Sequence, residues 1–294
     1  MKQTAFDRYH PLVQATYFAA MLVFCMAAMQ PVYLVLTLVA AFSYSVYLRG
    51  WRAAARSALW QVPLMLIVSV ANPLFSAAGS TELFKIGPRA VYAESFFFGA
   101  CMGVMLVAMM LWLSNASRVM PFDKVVSLLG NAAPSVGLMI SMAMRLVPEF
   151  VRRGGEIDAV QRACTAGSTE GRTGAKAQFA QRTRLSTVLM GWAMEDSIIT
   201  SDAMRARGWG STAKRSTYER YRFRSRDAVA LAVLALFIVI NAMLAIIACG
   251  QFHFYPTTST LVFWWGYIPF ALFALLPLIA EAIESVRWKG QSYV

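Results

Sequence analysis

"SFFFGACMGVMLVAMMLWLS", residues 95–114, runs for twenty positions without a charged side chain. About 20 apolar residues of helix cross the hydrocarbon core of a bilayer, so this stretch reads as a membrane span. Working outward, further apolar runs lie at about 12–29, 31–48, 58–75, 227–249 and 259–283. The expected fold class is therefore all-α: a polytopic helical membrane protein with about six transmembrane helices. Composition agrees, since the 294 residues are 58% hydrophobic and 14% charged, with a mean hydropathy of +0.53. No ordinary soluble domain of this size needs that balance.

The connections set an orientation. The first two spans are joined by "MQPV", where Pro31 can open the second helix because the first turn needs no amide hydrogen there. Between the second and third comes a basic loop, 49–56, with Arg49, Arg52 and Arg56. The 76–94 loop holds only Lys85 and Arg89, and "GQFHFYPTTS" has no cation. The positive-inside rule then puts both termini and the 49–56 loop in the cytoplasm of a multi-pass plasma-membrane protein. "SAAGSTELFKIGPRAVYAES" alternates around Leu83, Phe84 and Ile86 with a Gly87-Pro88 turn, which fits a small hairpin, a re-entrant segment or a plain loop. The N-terminal "MKQTAFDRYHPLVQ" lacks a short apolar core before a small-residue cleavage site, so no removable signal peptide is expected.

Three regions follow: an N-terminal membrane domain of four spans (1–114), a cytoplasmic or interfacial coupling region (115–226), and a two-span C-terminal segment (227–294). The middle region carries 18 of the 27 Lys and Arg against nine acids. Two amphipathic helices are embedded in it. One stripe runs through Val136, Met139 or Ile140, Ala143, Val147 and Phe150, the other through Leu185, Leu189, Trp192, Ile199 and Ala203. The glycine-rich "GSTEGRTGAKAQ" joins them as a turn. Seven of the 17 methionines, Met120, Met139, Met142, Met144, Met190, Met194 and Met204, also lie here. Flexible thioethers suit a surface that meets several partners, or simply fill gaps where helices cross.

Enzyme chemistry is not legible. His10 and His253 are the only histidines, no P-loop, HExxH or nucleophile elbow is present, and Cys25, Cys101, Cys164 and Cys249 are too scattered for a metal site or disulfide framework. Glu195 and Asp196 do not share a helix face and are expected to pair with Arg182 or Arg184. Glu281 and Glu284 are the ionisable groups near a span, at its cytoplasmic end. The scattered cations, including Arg152, Arg153 and the "RSTYERYRFRSR" run, suit anionic headgroups of the lipid bilayer. Without a recognised reading motif they do not indicate nucleic acid.

The second amphipathic helix ends in "MRARG", 204–208. Gly208 suits the left-handed position that stops a helix, and cations in the last turn suit its dipole. Arg207 would then project from a narrow tip, with a guanidinium able to form paired bonds to a carboxylate. Ala206-Arg207-Gly208, preceded by Arg205, resembles the second Ala-Arg-Gly signature of the transmembrane T component of energy-coupling factor (ECF) transporters, which include cobalt importers. "NPLF" at 72–75 and "RLVPEF" at 145–150 resemble the family pattern too. The resemblance implies a non-catalytic scaffold without a cofactor, joining two cytoplasmic ATPase subunits to a small membrane subunit that captures a vitamin or transition-metal ion. In the first motif the sequence departs: Arg162-Ala163 echoes Arg205-Ala206, but Cys164 and Thr165 stand where arginine and glycine are expected. Either Arg162 serves from two positions earlier, after unwinding of the last turn near Gly167, or that end docks by hydrophobic and steric contact alone. The alternative class is a self-contained secondary transporter or membrane-integral enzyme, which would show buried polar residues within its spans.

The topology is open to test. Ser80→Cys should react with an impermeant thiol reagent added to intact cells, and protection there with labelling after lysis would reverse the orientation.

Overall fold

The computed structural model describes residues 9–75, 79–86, 89–132, 134–165, 175–209, 211, 223–255, 259 and 264–291. The elements in order are α1 (Pro11–Ala27), α2 (Pro31–Arg49), α3 (Trp51–Phe75), β1 (Glu82–Ile86), β2 (Arg89–Tyr92), α4 (Ala93–Val119), α5 (Phe122–Ala132), α6 (Pro134–Thr165), α7 (Ala175–Ala206), α8 (Ser225–Gln251) and α9 (Tyr267–Gln291). Among the described residues the fold is thus helical, apart from one antiparallel ribbon of two strands. The chain divides into one unit of residues 1–125 and 221–294 and a second of residues 126–220.

Among the described residues four helices, α2, α3, α4 and α8, are long and apolar enough to cross a membrane, and α1 and Tyr267–Ile283 are shorter apolar helices. Pro31 opens α2 as its first residue. The 49–56 loop, however, does not exist as a loop. α2 runs to Arg49 and α3 starts at Trp51, because Gly50 turns the chain alone with φ +82°, a conformation glycine adopts without steric cost. Arg52 and Arg56 therefore lie on the first turns of α3. Arg49 donates to the Ser114 carbonyl at 2.9 Å, to the Ser114 hydroxyl, and to Ser57 Oγ at 3.5 Å, tying the ends of α2, α3 and α4. The expected span from 259 is also corrected. α9 starts at Tyr267 after a turn at 265–266, with Pro269 in its first turn, where no amide donor is needed.

In the first unit the core is aromatic. Tyr17 meets Trp112 edge-on at 6.0 Å and Phe273 at 5.4 Å, Tyr33 meets Phe270 at 4.8 Å, and Tyr44 stacks on Trp112 at 6.4 Å. These rings join α1, α2, α4 and α9. Asn115 Nδ2 donates to the Ala41 carbonyl at 2.9 Å, fixing α4 against α2. On its other side α4 approaches α3 at backbone distance. A Cβ at Gly99 would stand 2.8 Å from the Ser69 carbonyl oxygen, and one at Gly103 would stand 2.9 Å from that of Met65. This is the small-xxx-small packing of membrane helices.

Of the prolines inside helices, Pro73 and Pro277 each leave a carbonyl without its helical donor, and both of these carbonyls meet another helix. Pro73 frees the Ser69 carbonyl, which faces Gly99. Pro277 frees that of Phe273, and the Tyr17 hydroxyl donates to Phe273 O at 3.3 Å and Ala274 O at 3.1 Å. On the ribbon side, buried Glu94 in the first turn of α4 accepts from Ser80 Oγ at 3.0 Å, Thr81 Oγ1 at 2.7 Å and Thr81 N at 3.2 Å. This pins the segment leading into β1. Within the 76–94 segment β1 and β2 thus form an antiparallel ribbon leading into α4, while residues 76–78 and the Gly87-Pro88 turn lie outside the described residues. Buried Asp227 accepts from the Arg224 amide at 2.9 Å and the His10 amide at 3.1 Å, so it caps α8 and holds the start of α1.

The two kinds of glycine should respond oppositely to alanine. Gly99→Ala forces α3 and α4 apart and should cost about 1–3 kcal/mol. Gly250→Ala, with nothing within 4 Å of its Cβ, should be neutral or gain up to about 1 kcal/mol. Thermal unfolding of both purified variants in the same detergent checks the contrast.

Candidate partner-docking site

Within the second unit α6 and α7 lie antiparallel. Phe150 meets Trp192 edge-on at 5.7 Å, the Arg153 guanidinium lies 3.5 Å from the centre of the Trp192 ring, and Arg153 pairs with Glu149 at 3.1 Å. A Cβ at Gly154 would meet Leu189 at 3.6 Å. Further along, Gln181 Nε2 donates to Asp158 Oδ1 at 2.9 Å, while Asp158 Oδ2 holds Arg162 at 2.6 Å. An open cleft lined by Gly154, Gly155, Asp158, Arg162, Gln181 and Leu185 lies between them.

The two apolar stripes meet only in part. Phe150, Leu189 and Trp192 face the partner helix, whereas Val136, Met139, Val147, Ile199 and Ala203 are exposed. Met144, Met190, Met194 and Ile198 are exposed as well. On α7 the hydroxyls of Thr183, Ser186, Thr187 and Ser197 each donate to a carbonyl of their own helix, at 2.7–3.0 Å. Their polarity is thereby satisfied, and the face they share with Phe179, Met190 and Met194 presents little charge. Of the glycine-rich "GSTEGRTGAKAQ" stretch, residues 167–174 lie outside the described residues and Ala175–Gln178 already belong to α7, and most of the "RSTYERYRFRSR" run also lies outside them.

The end of α7 is a complete helix stop. Ala206 is the last helical residue and Gly208 has φ +78°. Gly208 N donates to Arg205 O at 2.9 Å, and Trp209 N to Met204 O at 3.0 Å. These are the two bonds of a Schellman motif, with Arg207 as the cap and Gly208 in the left-handed position. Ser211 then closes back on the Gly208 carbonyl through its amide at 3.1 Å and its hydroxyl at 2.7 Å. Arg205, Ala206, Arg207 and Gly208 are exposed, and neither arginine makes an ion pair among the described residues.

The end of α6 is built differently. The helix runs unbroken to Thr165, so its last turn is not unwound at Arg162, and that side chain folds back onto Asp158 one turn earlier. Ala163 and Cys164 are exposed, and positions 162 and 164 point about 200° apart. Because Asp158 lies beside Gln181 and Phe150 beside Trp192, the end of α6 is next to the start of α7. The Arg162 and Arg207 ends are thus at opposite ends of the pair, roughly 40 Å apart at 1.5 Å per residue.

One expected pairing fails. Glu195 and Asp196 make no ion pair with Arg182 or Arg184 among the described residues. Eleven residues of helix between Arg184 and Glu195 amount to about 16 Å, beyond the reach of either side chain. Sequence reading also passed over Trp209 and the Arg153–Trp192 contact. An aromatic directly after a helix-stopping glycine was the available signal for the first; nothing short of the helix pairing reveals the second. Among the described residues no three His, Cys, Asp or Glu side chains cluster as a metal site. No protein-family model matches the chain, and no curated protein matches it.

Gly208→Ala puts a Cβ on a left-handed residue, at a cost of about 1–2 kcal/mol. It should loosen the tip without unfolding α7, seen as faster amide hydrogen exchange in a peptide covering 204–211 and unchanged exchange over 185–195.

Proposed function

We propose that the chain is the non-catalytic membrane scaffold of an ATP-driven importer of the energy-coupling factor type. In this reading six helices cross the plasma membrane, both termini are cytoplasmic, and residues 115–226 couple two cytoplasmic ATPase subunits to a small membrane subunit that captures a vitamin or transition-metal ion. The observation that carries it is the α7 tip: an exposed arginine held on a hydrogen-bonded helix stop, which is the form the Ala-Arg-Gly resemblance calls for. The roughly 40 Å between the two helix ends also suits two partners gripping one scaffold. The methionine-rich, charge-poor face of α7 suits a third partner that is itself apolar.

Ala206 and Gly208 keep the tip narrow, and Arg207 meets a carboxylate on the first ATPase. Arg205 lies on another side of the helix and supports the dipole. At the other end Arg162, Ala163 and Cys164 form the weaker site, since Arg162 is already paired with Asp158 and must leave it to reach a partner.

A second reading, a self-contained secondary transporter or membrane-integral enzyme, draws support from buried polar residues of the first unit, among them Gln14, Thr37, Ser45, Asn115, Asn241 and Glu281. Most of these bond to nearby groups. Thr37 donates to Tyr33 O, Asn115 to Ala41 O and Asn241 to Phe237 O, Lys124 donates to Gln14, and Glu281 accepts from Tyr47. The bonds of Asn115, Gln14 and Glu281 join helices, those of Thr37 and Asn241 stay within their own helix, and neither kind needs a transport role.

Purification of the tagged chain in mild detergent distinguishes the readings: two ATPases and a small apolar protein support the scaffold, and a clean homodimer supports the alternative. Arg207→Glu should still insert into membranes but abolish uptake and weaken ATPase retention more than about 100-fold, as loss of a buried charge pair does. Arg205→Ala and Arg162→Ala should each cost less than about 10-fold, the scale of exposed pairs. Normal assembly and uptake with Arg207→Glu would reduce the tip to a solvated helix end.

A further inference from the structure

We propose that the open cleft between α6 and α7 holds the phosphate of an anionic phospholipid, with an acyl chain laid along the adjoining apolar strip of α6. This goes beyond the coupling reading and does not depend on it. Arg182 lines the cleft together with the residues named above. To that lining α6 contributes two consecutive glycines in the interior of a long helix, where only proline is less favourable than glycine. Packing does not require them. A Cβ at Gly155 would have nothing within 4 Å, and one at Gly154 would stand at an ordinary 3.6 Å from Leu189. Neither glycine has a positive φ. Gly99 and Gly103 let two backbones touch, whereas this pair leaves room that side chains would fill.

Two guanidiniums border that room. Asp158 holds one terminal nitrogen of Arg162 at 2.6 Å and accepts from Gln181 with its other oxygen. The Arg162 side chain is thereby positioned while remaining 74% exposed, with further N–H groups of its fork facing solvent. Arg182 is exposed and makes no ion pair among the described residues. One carboxylate against two guanidiniums leaves the cleft with an excess of one positive charge, which matches the single negative charge of a phosphodiester.

The neighbouring surface identifies the source of that phosphate. At 100° per residue, Met144, Val147, Val151, Gly155 and Arg162 fall within about 80° of one another around α6. One strip of the helix therefore runs from apolar side chains, past the glycines, to the arginine. Met144, Val147 and Val151 are 43%, 54% and 74% exposed, and no charged residue interrupts the strip between Met144 and Gly155. From Met144 to Gly155 is about 16 Å of helix, close to the hydrocarbon depth of one leaflet, half of a core about 30 Å thick. An exposed apolar strip that ends at two guanidiniums has the polarity of a phospholipid laid along it. A choline head would bring another cation beside Arg162 and Arg182, so an uncharged head such as glycerol fits better.

The test uses the full chain purified in detergent and titrated with phosphatidylglycerol, phosphatidylcholine or orthophosphate. Bound lipid is counted by native mass spectrometry, and its position is mapped with a phosphatidylglycerol that carries a diazirine in its acyl chain. Phosphatidylglycerol should bind at least about 5-fold more tightly than phosphatidylcholine and cross-link to the peptide covering 144–151. Arg182→Gln should weaken it about 5-fold, the contribution of one cation near an anionic headgroup. Gly155→Leu should weaken it about 10-fold and abolish the cross-link without lowering the melting temperature, because leucine is the better helix former. Gly191→Leu, at a glycine of α7 that also has nothing within 4 Å of its Cβ and lies outside the cleft lining, should bind as wild type. Wild-type binding by Gly155→Leu or by Arg182→Gln would overturn the proposal; the second decides the matter if the first fails to fold. Equal binding of the two lipids, or cross-links outside 144–151, would reduce the lipid to a general coat and overturn it too. Displacement of phosphatidylglycerol by millimolar orthophosphate would assign the cleft to free phosphate and overturn the lipid. None of these measurements involves an ATPase, so each failure leaves the coupling reading standing.

Discussion

The membrane unit depends on how closely α4 can approach its neighbours. In lipid, burying an apolar side chain against another helix gains little, because the acyl chains are just as apolar; association comes from close contact and from hydrogen bonds between helices. α4 supplies both. Gly99 and Gly103 let it touch the α3 backbone at Ser69 and Met65, and Asn115, one helical side away and four turns on, donates to α2. Trp112 fills the space that α1 and α2 leave above it. Without α4, α3 would lose its backbone-close packing at Ser69 and Met65, and the rings of Tyr17 and Tyr44 would lose the Trp112 that lies against both.

The same economy explains Pro73 and Pro277. A proline inside a membrane helix removes a hydrogen bond that no water is present to replace. Both Pro73 and Pro277 are placed so that the carbonyl each one releases points at another helix: Ser69 at Gly99, and Phe273 at the Tyr17 hydroxyl. A residue that would weaken an isolated helix thereby becomes a point of attachment between two. Arg49 works in a related way where the helices end, since its three contacts with Ser57 and Ser114 hold three helix ends where topology alone would need only a charge.

The α6–α7 unit follows different physics. Its helices are long and meet over a short region, through a cation stacked on an aromatic ring and a shared carboxylate, Asp158. Most of their apolar side chains remain uncovered. A pair held so locally keeps both ends and both outer faces available. That is a poor arrangement for a stable domain and a suitable one for a part whose contacts lie with other molecules.

Helical membrane character, the start of α2 at Pro31 and the stop of α7 at Gly208 were legible in the sequence, because each depends on local rules: span length, a missing amide hydrogen, a missing Cβ. The exposed helix stop at Arg205, Ala206, Arg207 and Gly208 was legible for the same reason, since such a stop is written in four or five consecutive residues. The basic loop expected at 49–56 failed because cation counting reports charge and not conformation, and a single left-handed glycine was enough to turn the chain. The pairing of Glu195 and Asp196 with Arg182 and Arg184 failed because it ignored the rise along the helix. Only the tertiary structure could decide which glycines in α4 touch a backbone, which hydroxyl answers Pro277, and that Arg162 and Arg207 stand at opposite ends of one helix pair. Those facts depend on residues tens to hundreds of positions apart, and the pattern within any one helix is the same whichever neighbour it meets.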